Sequence, residues 1–450
     1  MEQSLSRRRF LQSAAALGAS MALPSQLGWA LDRASASSLR APGSLPDPHR
    51  PAGTEHLPQI DHIIILMMEN HSFDNYLGML GRGDGFTLDR SRRPVHSNPD
   101  PSGQRVHAFP MPTACQSQHG PSQSWNASHR SLDGGRNDGF VRASGPVAMG
   151  YWTDATLPFY YSLARSFPLC DRWFSSCLAQ TYPNRRFLLA GTAYGLISTD
   201  AKGIVAPSPP NGTIFDQLNA HGITWRDYYT DLPSAGLFKA VVDGDRDKLI
   251  PIAQYFTDAA AGTLPSVSLV ETHYGHASEE DPQDIQAGEA FASSVVQAAM
   301  HGRAWDKTVL IWCYDEHGGY YDHVPPPRAV RPDNIPPDIH VPPDEPGGYD
   351  RYGFRVPAVV VAPFARRNYV SHVVHDHTSI LKLIETKWNL PALTFRDANA
   401  DDLLDTLDLR GRPAFREPPV LAAPGLSVRP SACVPGQPGV IPPPAAVTAR

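Results

Sequence analysis

Three largely apolar runs constrain the architecture of this 450-residue chain more than any other feature. They are residues 60–68, with Ile63-Ile64-Ile65-Leu66 at the centre, residues 308–313, and residues 357–362, with Val359-Val360-Val361. A run that never alternates with polar residues suits a strand covered on both faces, as strands of a parallel sheet are. Residues 223–225 and 267–270 offer weaker strands of the same kind. Helical signals fall between them. Thr213 is placed to cap a segment ending at Asn219, with Gly222 just past it. Residues 285–300 are Ala-rich with Phe291, Val295 and Val296 on one side, and residues 378–388 put Ile380, Leu381, Ile384 and Trp388 on one face. Strands alternating with helices predict an α/β fold whose mainly parallel central sheet is flanked by helices. In such sheets ligands bind beyond the carboxyl ends of the strands.

Two of the runs lead directly into acidic sequence. Glu69-Asn70-His71-Ser72-Phe73-Asp74-Asn75-Tyr76 follows the first, and Asp315-Glu316-His317-Gly318-Gly319-Tyr320-Tyr321-Asp322-His323 follows the second. Clustered carboxylates repel one another unless a cation sits between them, and oxygen donors suit hard or borderline divalent metals. Gln180-Thr181-Tyr182-Pro183-Asn184-Arg185-Arg186-Phe187 adds a third element. Pro183 fits the first turn of a helix. Thr181 would then sit at the cap, where free N–H groups and the helix dipole favour an anion. A hydroxyl held there becomes a phosphoryl acceptor if a metal orients it and lowers its pKa.

The ends of the chain read differently. Ser6-Arg7-Arg8-Arg9-Phe10-Leu11, an apolar stretch from Ala14 to about Leu23, and small residues at Gly28-Trp29-Ala30 match a twin-arginine export signal. The apolar stretch is too short for a membrane span. Residues 1–30 are therefore expected to engage the twin-arginine translocation machinery and be removed, leaving a periplasmic or secreted protein. That pathway carries proteins already folded, which suits a metal enzyme. Residues 31–58 read as a linker, 59–420 as the catalytic domain, and 421–450, rich in Pro and Ala, as a disordered tail. Forty-five prolines predict many ordered loops, and a net charge of −6 argues against nucleic acid as a partner. The five cysteines include no CxxC pair. Cys170 and Cys177 are near enough in sequence to pair, though spacing cannot set connectivity.

The segments Glu-Asn-His-Ser-Phe-Asp-Asn, Thr-Tyr-Pro-Asn-Arg, Asp-Glu-His-Gly-Gly-Tyr-Tyr-Asp-His and Gly353-Phe354-Arg355-Val356-Pro357 occur here in that order. Together, over roughly residues 58–395, they resemble the phosphoesterase family of phosphatidylcholine-type phospholipases C, plant non-specific phospholipases C and related acid phosphatases. The resemblance implies an alkaline-phosphatase-like α/β sandwich with Thr181 as nucleophile. It implies one divalent metal ion held by Glu69, Asn70, Asp315 and Glu316, with Asn184 and Arg185 at the phosphate and His129, His317 and His377 as catalytic histidines. Gln123 stands where the family has a histidine ahead of the Ser124–His129 stretch, and Asp281 stands where many relatives carry His before Pro, which turns attention to His273 and His276. The expected reaction runs through a phosphothreonine. The expected substrate is a phospholipid met in transient contact with a membrane surface, with Trp152, Phe159, Tyr160 and Tyr161 as candidate lipid contacts or, equally, core residues. A small phosphomonoester and, more distantly, a non-catalytic surface-binding role are the alternatives.

Overall fold

The apolar runs form the middle of an eight-stranded sheet in a computed structural model that describes residues 39–116, 120–200 and 208–427. The strands are β1 (His62–Met68), β2 (Leu169–Cys170), β3 (Trp225–Tyr229), β4 (Leu249–Pro251), β5 (Val267–Val270), β6 (Thr308–Tyr314), β7 (Ala358–Val361) and β8 (Val370–Ser371). Their order across the sheet is β8-β2-β7-β6-β1-β5-β3-β4. β1 pairs in parallel with β6, Ile64 opposite Leu310, and with β5 on its other side. β7 alone runs against its neighbours β6 and β2, so the sheet is mainly parallel. Burial of every β6 side chain explains why these runs lack alternation. β2, β4 and β8 escaped the sequence reading because strands of two or three residues carry no periodicity.

The helices that matter below are α1 (Phe73–Leu77), α2 (Trp125–Leu132), α3 (Pro158–Ser166), α4 (Thr181–Ala190), α5 (Ile214–Ala220), α6 (Ala253–Ala261), α7 (Ile285–His301) and α8 (Thr378–Trp388). α3 and α6 pack on α7, which lies against β1 and β6, while α5 and α8 pack on α4. The apolar face expected on 378–388 is buried, including Ile380, Leu381 and Ile384. Each such side chain contributes about 1.5–3 kcal/mol on leaving water.

Three expectations change. Trp152, Phe159, Tyr160 and Tyr161 are core residues, each no more than 1% exposed, so none is available to lipid. The expected linker is bonded to the domain over its described part: Gly43 N donates to Ala392 O, His56 N to Lys387 O, and Asn389 Nδ2 to the carbonyls of Asp47, Arg50 and Pro51. Cys170, Cys177 and Cys313 are buried free thiols, so no bond joins Cys170 to Cys177. The signal sequence and most of the expected tail lie outside the described residues. Among the described residues no helix is long and apolar enough to cross a membrane.

Candidate active site

β1, β5 and β6 are parallel neighbours, so their carboxyl ends open on one edge. Glu69, Glu271 and Asp315 are the first residues beyond those ends, and all three are buried there. The chain then turns sharply through Asn70 (φ 61°) and His71 (φ 77°), left-handed conformations that non-glycine residues keep only when held. What holds them is visible. Asn70 N donates to Asp315 Oδ1 at 2.9 Å, His71 Nδ1 donates to Asn75 Oδ1 at 2.7 Å, and His71 Nε2 accepts from Gln116 Nε2 at 2.9 Å. Burial pushes His71 down to about 3, so it stays neutral in this role.

On the facing loop, Asp315 Oδ1 also accepts from Glu316 N at 2.8 Å, and Glu316 Oε2 accepts from Gly318 N at 2.8 Å. Gly318 (φ 63°) backs onto the first loop. A Cβ there would lie 2.8 Å from Asn70 Cβ and 3.0 Å from His71 N. Gly318→Ala is therefore expected to displace Asn70 and lower kcat about a hundredfold, the cost of misplacing a catalytic group by about 1 Å. Steady-state kinetics beside a circular-dichroism check of folding measures it.

Thr181 is the first residue of α4, one position inside the expected cap, because Gln180 is the last extended residue. Its Oγ1 donates to Glu69 Oε2 at 3.1 Å, joining the helix start to the β1 cluster. The two residues expected at phosphate do other work. Asn184 accepts from Cys177 N at 3.0 Å and donates to Ala179 O at 2.9 Å, so it shapes the loop that delivers Thr181. Arg185 spends all its donors on protein: on Glu69 (2.8 and 3.1 Å), Glu271 (3.0 Å), Ser234 Oγ (3.0 Å) and Met67 O (3.2 Å). It also lies 3.7 Å from Asp315. Buried at 1% exposure, it neutralises the acidic cluster and has no N–H left for substrate.

One guanidinium does not balance Glu69, Glu271, Asp315 and Glu316. Burial, followed by the charge of Asp315, pushes the carboxyls of Glu69 and Glu316 well above the usual range. Three buried oxygens on this edge, Asn70 Oδ1, Asp315 Oδ2 and Glu316 Oε1, have no hydrogen-bond partner. Orphaned acceptors grouped around unbalanced negative charge are what a cation-binding position requires. The donor set, carboxylate and amide oxygens with a hydroxyl beside them, is of the kind a hard or borderline divalent metal takes, and Glu69, Asn70, Asp315 and Glu316 would hold it after closing in, since the three carboxylates do not lie within 4.8 Å of one another here.

The histidines separate. His377 Nε2 donates to the backbone oxygen of Asp315 at 2.7 Å, while its Nδ1 accepts from Trp173 Nε1 at 3.4 Å. Both ring nitrogens are thereby occupied, and His377 positions Asp315 without reaching a reacting atom. His317 lies beside Glu316, Nδ1 3.2 Å from Oε2, with Nε2 buried and unpartnered, and burial pushes it down to about 3. His129, on α2, bonds Trp125 O at 2.8 Å and lies against the Trp125 ring, tilted by 34° with centroids 4.1 Å apart. It belongs to that packing corner, and no bond joins it to Thr181 or the acidic loops.

Thr181 and Glu69 open into a cavity of about 410 Å³. Its lining combines polar residues, Arg185, Tyr274 and Glu280, with apolar ones, Leu232, Leu237 and Leu249. Glu271 was missed in the sequence. The signal was present, since it directly follows the weak strand run 267–270 and so repeats the pattern of Glu69 and Asp315. Glu280 and Tyr274, from loops without periodicity, had no such signal. His273, exposed, pairs with Asp231 at 3.3 Å. Asp281 accepts from Tyr320 OH at 3.1 Å.

A model of the "Phosphoesterase family" matches residues 60–391. Non-specific phospholipase C1 of Arabidopsis thaliana is 31% identical, across 82% of this chain and 75% of the plant protein. Phospholipase C B of Mycobacterium tuberculosis is 30% identical, across 92% of this chain and 88% of its own length. A solved alkaline phosphatase superfamily protein from Vibrio parahaemolyticus aligns with 73% of this chain and 77% of its own, at 14% identity and a TM-score of 0.35.

Proposed function

We infer, for a chain that belongs to the phosphoesterase family, a phospholipase C that cleaves phosphatidylcholine-type lipids through a phosphothreonine at Thr181. The coarser statement needs no inference: the chain is a hydrolase acting on phosphate ester bonds. The observation that carries the finer reading is the cavity, whose lining joins Thr181 and Glu69 to the apolar side chains of Leu232, Leu237, Val242 and Leu249. A phosphomonoester of a small alcohol has no use for those side chains, whereas a diacylglycerol leaving group does.

The chain's own groups suffice to describe the transfer. Thr181 Oγ1 is aimed by its bond to Glu69 and by the first turn of α4. It attacks phosphorus, a Thr–O–P bond forms, and the bond to the glycerol oxygen breaks. That oxygen leaves with a proton as the free alcohol of diacylglycerol. Water then cleaves the Thr–O–P bond and restores the hydroxyl. Tyr182 N is committed to Thr199 Oγ1 and Pro183 has no N–H, so the start of α4 offers the phosphoryl oxygens its dipole more than free donors. A divalent cation bound by Glu69, Asn70, Asp315 and Glu316 would lower the pKa of the threonine hydroxyl and offset charge on the phosphoryl group.

The test compares diacylglycerol release from phosphatidylcholine vesicles with hydrolysis of an aryl phosphomonoester, with and without chelator. The lipid is expected to be preferred, and chelator to stop both reactions. Leu232→Asp, at the exposed leucine of the lining, is expected to lower kcat/KM for lipid about tenfold or more while sparing the monoester, since desolvation of the leaving group is lost. A faster monoester reaction, with Leu232→Asp leaving lipid turnover unchanged, would identify a phosphatase instead. Export by the twin-arginine route to the periplasm or medium is part of the same proposal, supported by the motif at residues 6–11 and the apolar run behind it. Mass spectrometry of the mature N-terminus tests it.

A further inference from the structure

A second cluster lies away from Thr181, where β8 meets the loop at 401–405. His375, Asp401 and Asp405 each bring one ligand atom within 4.8 Å of the others, and among the described residues no other three His, Cys, Asp or Glu side chains do so. His375 Nδ1 is 3.7 Å from Asp401 Oδ1, and Nε2 is 3.4 Å from Asp405 Oδ1. Those two distances run to opposite ring nitrogens, and one ion can take only one of them, so the ligand set is a single imidazole nitrogen with one carboxylate oxygen from each aspartate, all within 4.8 Å of one another.

The bonding around it is incomplete. Ser371 Oγ donates to Asp405 Oδ2, and Tyr369 OH donates to the same oxygen at 3.1 Å. With its proton committed to Asp405, Ser371 Oγ accepts from His375 Nε2 at 3.2 Å. This leaves the lone pair of Nδ1 facing a carboxylate. His375 is fully buried, its Nδ1 has no hydrogen-bond partner, and neither has Asp405 Oδ1. Asp401, 39% exposed, stands at the rim of an open groove beside Val373 and Val374, which gives an ion a way in. An imidazole with two carboxylates selects a borderline transition ion over calcium or magnesium.

We propose that His375, Asp401 and Asp405 bind one divalent transition-metal ion, zinc or manganese by class, as a structural clamp separate from the catalytic edge. The clamp ties the 401–405 loop to the turn after β8. That turn leads within two residues to His377, which holds the Asp315 backbone. The rival occupant is a proton, which would make the cluster a simple ion pair.

Full-length protein is stripped with chelator, dialysed and titrated with zinc sulfate, with bound zinc counted by elemental analysis and thermal midpoints recorded. Asp401→Asn/Asp405→Asn is expected to take up one zinc fewer per chain than wild type and to lose part of the zinc-induced rise in midpoint. Asp315→Asn is expected to lose the zinc of the catalytic edge instead, so adding it to the double variant should remove a second zinc. Asp401→Asn alone changes one partly exposed group and guards against misfolding of the double variant. Its affinity at this site should fall at least tenfold, since even loss of an outer-shell partner costs about 10–100-fold. Wild-type zinc stoichiometry and midpoint shift in both variants would overturn the clamp. Because Asp315→Asn reports on the catalytic edge alone, failure there and failure here are told apart.

Discussion

Thr181→Ala is expected to lower turnover of every phosphate ester by about 10⁴–10⁶-fold, the cost of removing the nucleophile from a covalent mechanism. The fold should tolerate the change. Thr181 is the first residue of α4 and its hydroxyl makes one side-chain bond, to Glu69, so the stability cost is about 1 kcal/mol. The denaturant midpoint should therefore move little while activity collapses. Thr181→Ser keeps an oxygen at the same position and is expected to retain most of the rate. Acid-quenched wild-type enzyme should show a phosphorylated peptide spanning Thr181, and the Ala variant none. An Ala variant turning over within about tenfold of wild type would exclude the covalent route and leave water as the direct nucleophile.

Arg355→Met is expected to destabilise the protein by about 3–5 kcal/mol, the usual cost of removing one partner from a buried ion pair. The guanidinium is fully buried and uses every donor: Asp322 (2.8 and 3.1 Å), Asp74 (3.2 Å), Asp84 O and Asp171 O (both 2.9 Å). It also covers the Phe73 ring at 4.5 Å. Arg355 thus joins α1, which follows the first acidic loop, to the end of the second, without touching either set of metal-side residues. Burial raises the Asp322 carboxyl despite Arg355. Asp74 is pushed up by burial too, yet the hydrogen bond from His323 and the charge of Arg355 hold it below its usual value. A depressed carboxyl contributes stability above its unfolded value and loses it as pH falls through the folded one. The Arg355→Met deficit should therefore be full at neutral pH and narrow in acid, where the stranded carboxylates take up protons. Urea unfolding at neutral and acid pH measures both. A deficit under about 1 kcal/mol at neutral pH would mean the site is open to water.

How much was legible follows from where periodicity exists. The runs 60–68, 267–270 and 308–313 are strands because a short, largely apolar stretch bordered by polar sequence has few other stable placements. Their acidic successors reach one edge because the strands are parallel. Glu69, Asn70, Thr181, Asp315 and Glu316 come together for that reason. The motif around Arg355 was visible, but its work as a cross-link was not, since Asp74, Asp84, Asp171 and Asp322 are distant in sequence. The roles of Asn184, Arg185, His129 and His377 changed for the same reason. A side chain's chemistry advertises what it can bind, while its neighbours decide what it has already bound.

The sequence by itself determined the sheet, the edge where chemistry collects and the residue types that collect there, because those depend on hydrophobic burial and on strand direction. The tertiary structure alone decided which polar groups are spent and which are left over. Arg185 is spent on Glu69 and Glu271, and His377 on Asp315 and Trp173, whereas Asn70 Oδ1, Asp315 Oδ2 and Glu316 Oε1 remain unpaired. Hydrogen bonds are directional and saturable. Only the placement of every partner shows where an ion or a substrate still has something to bind.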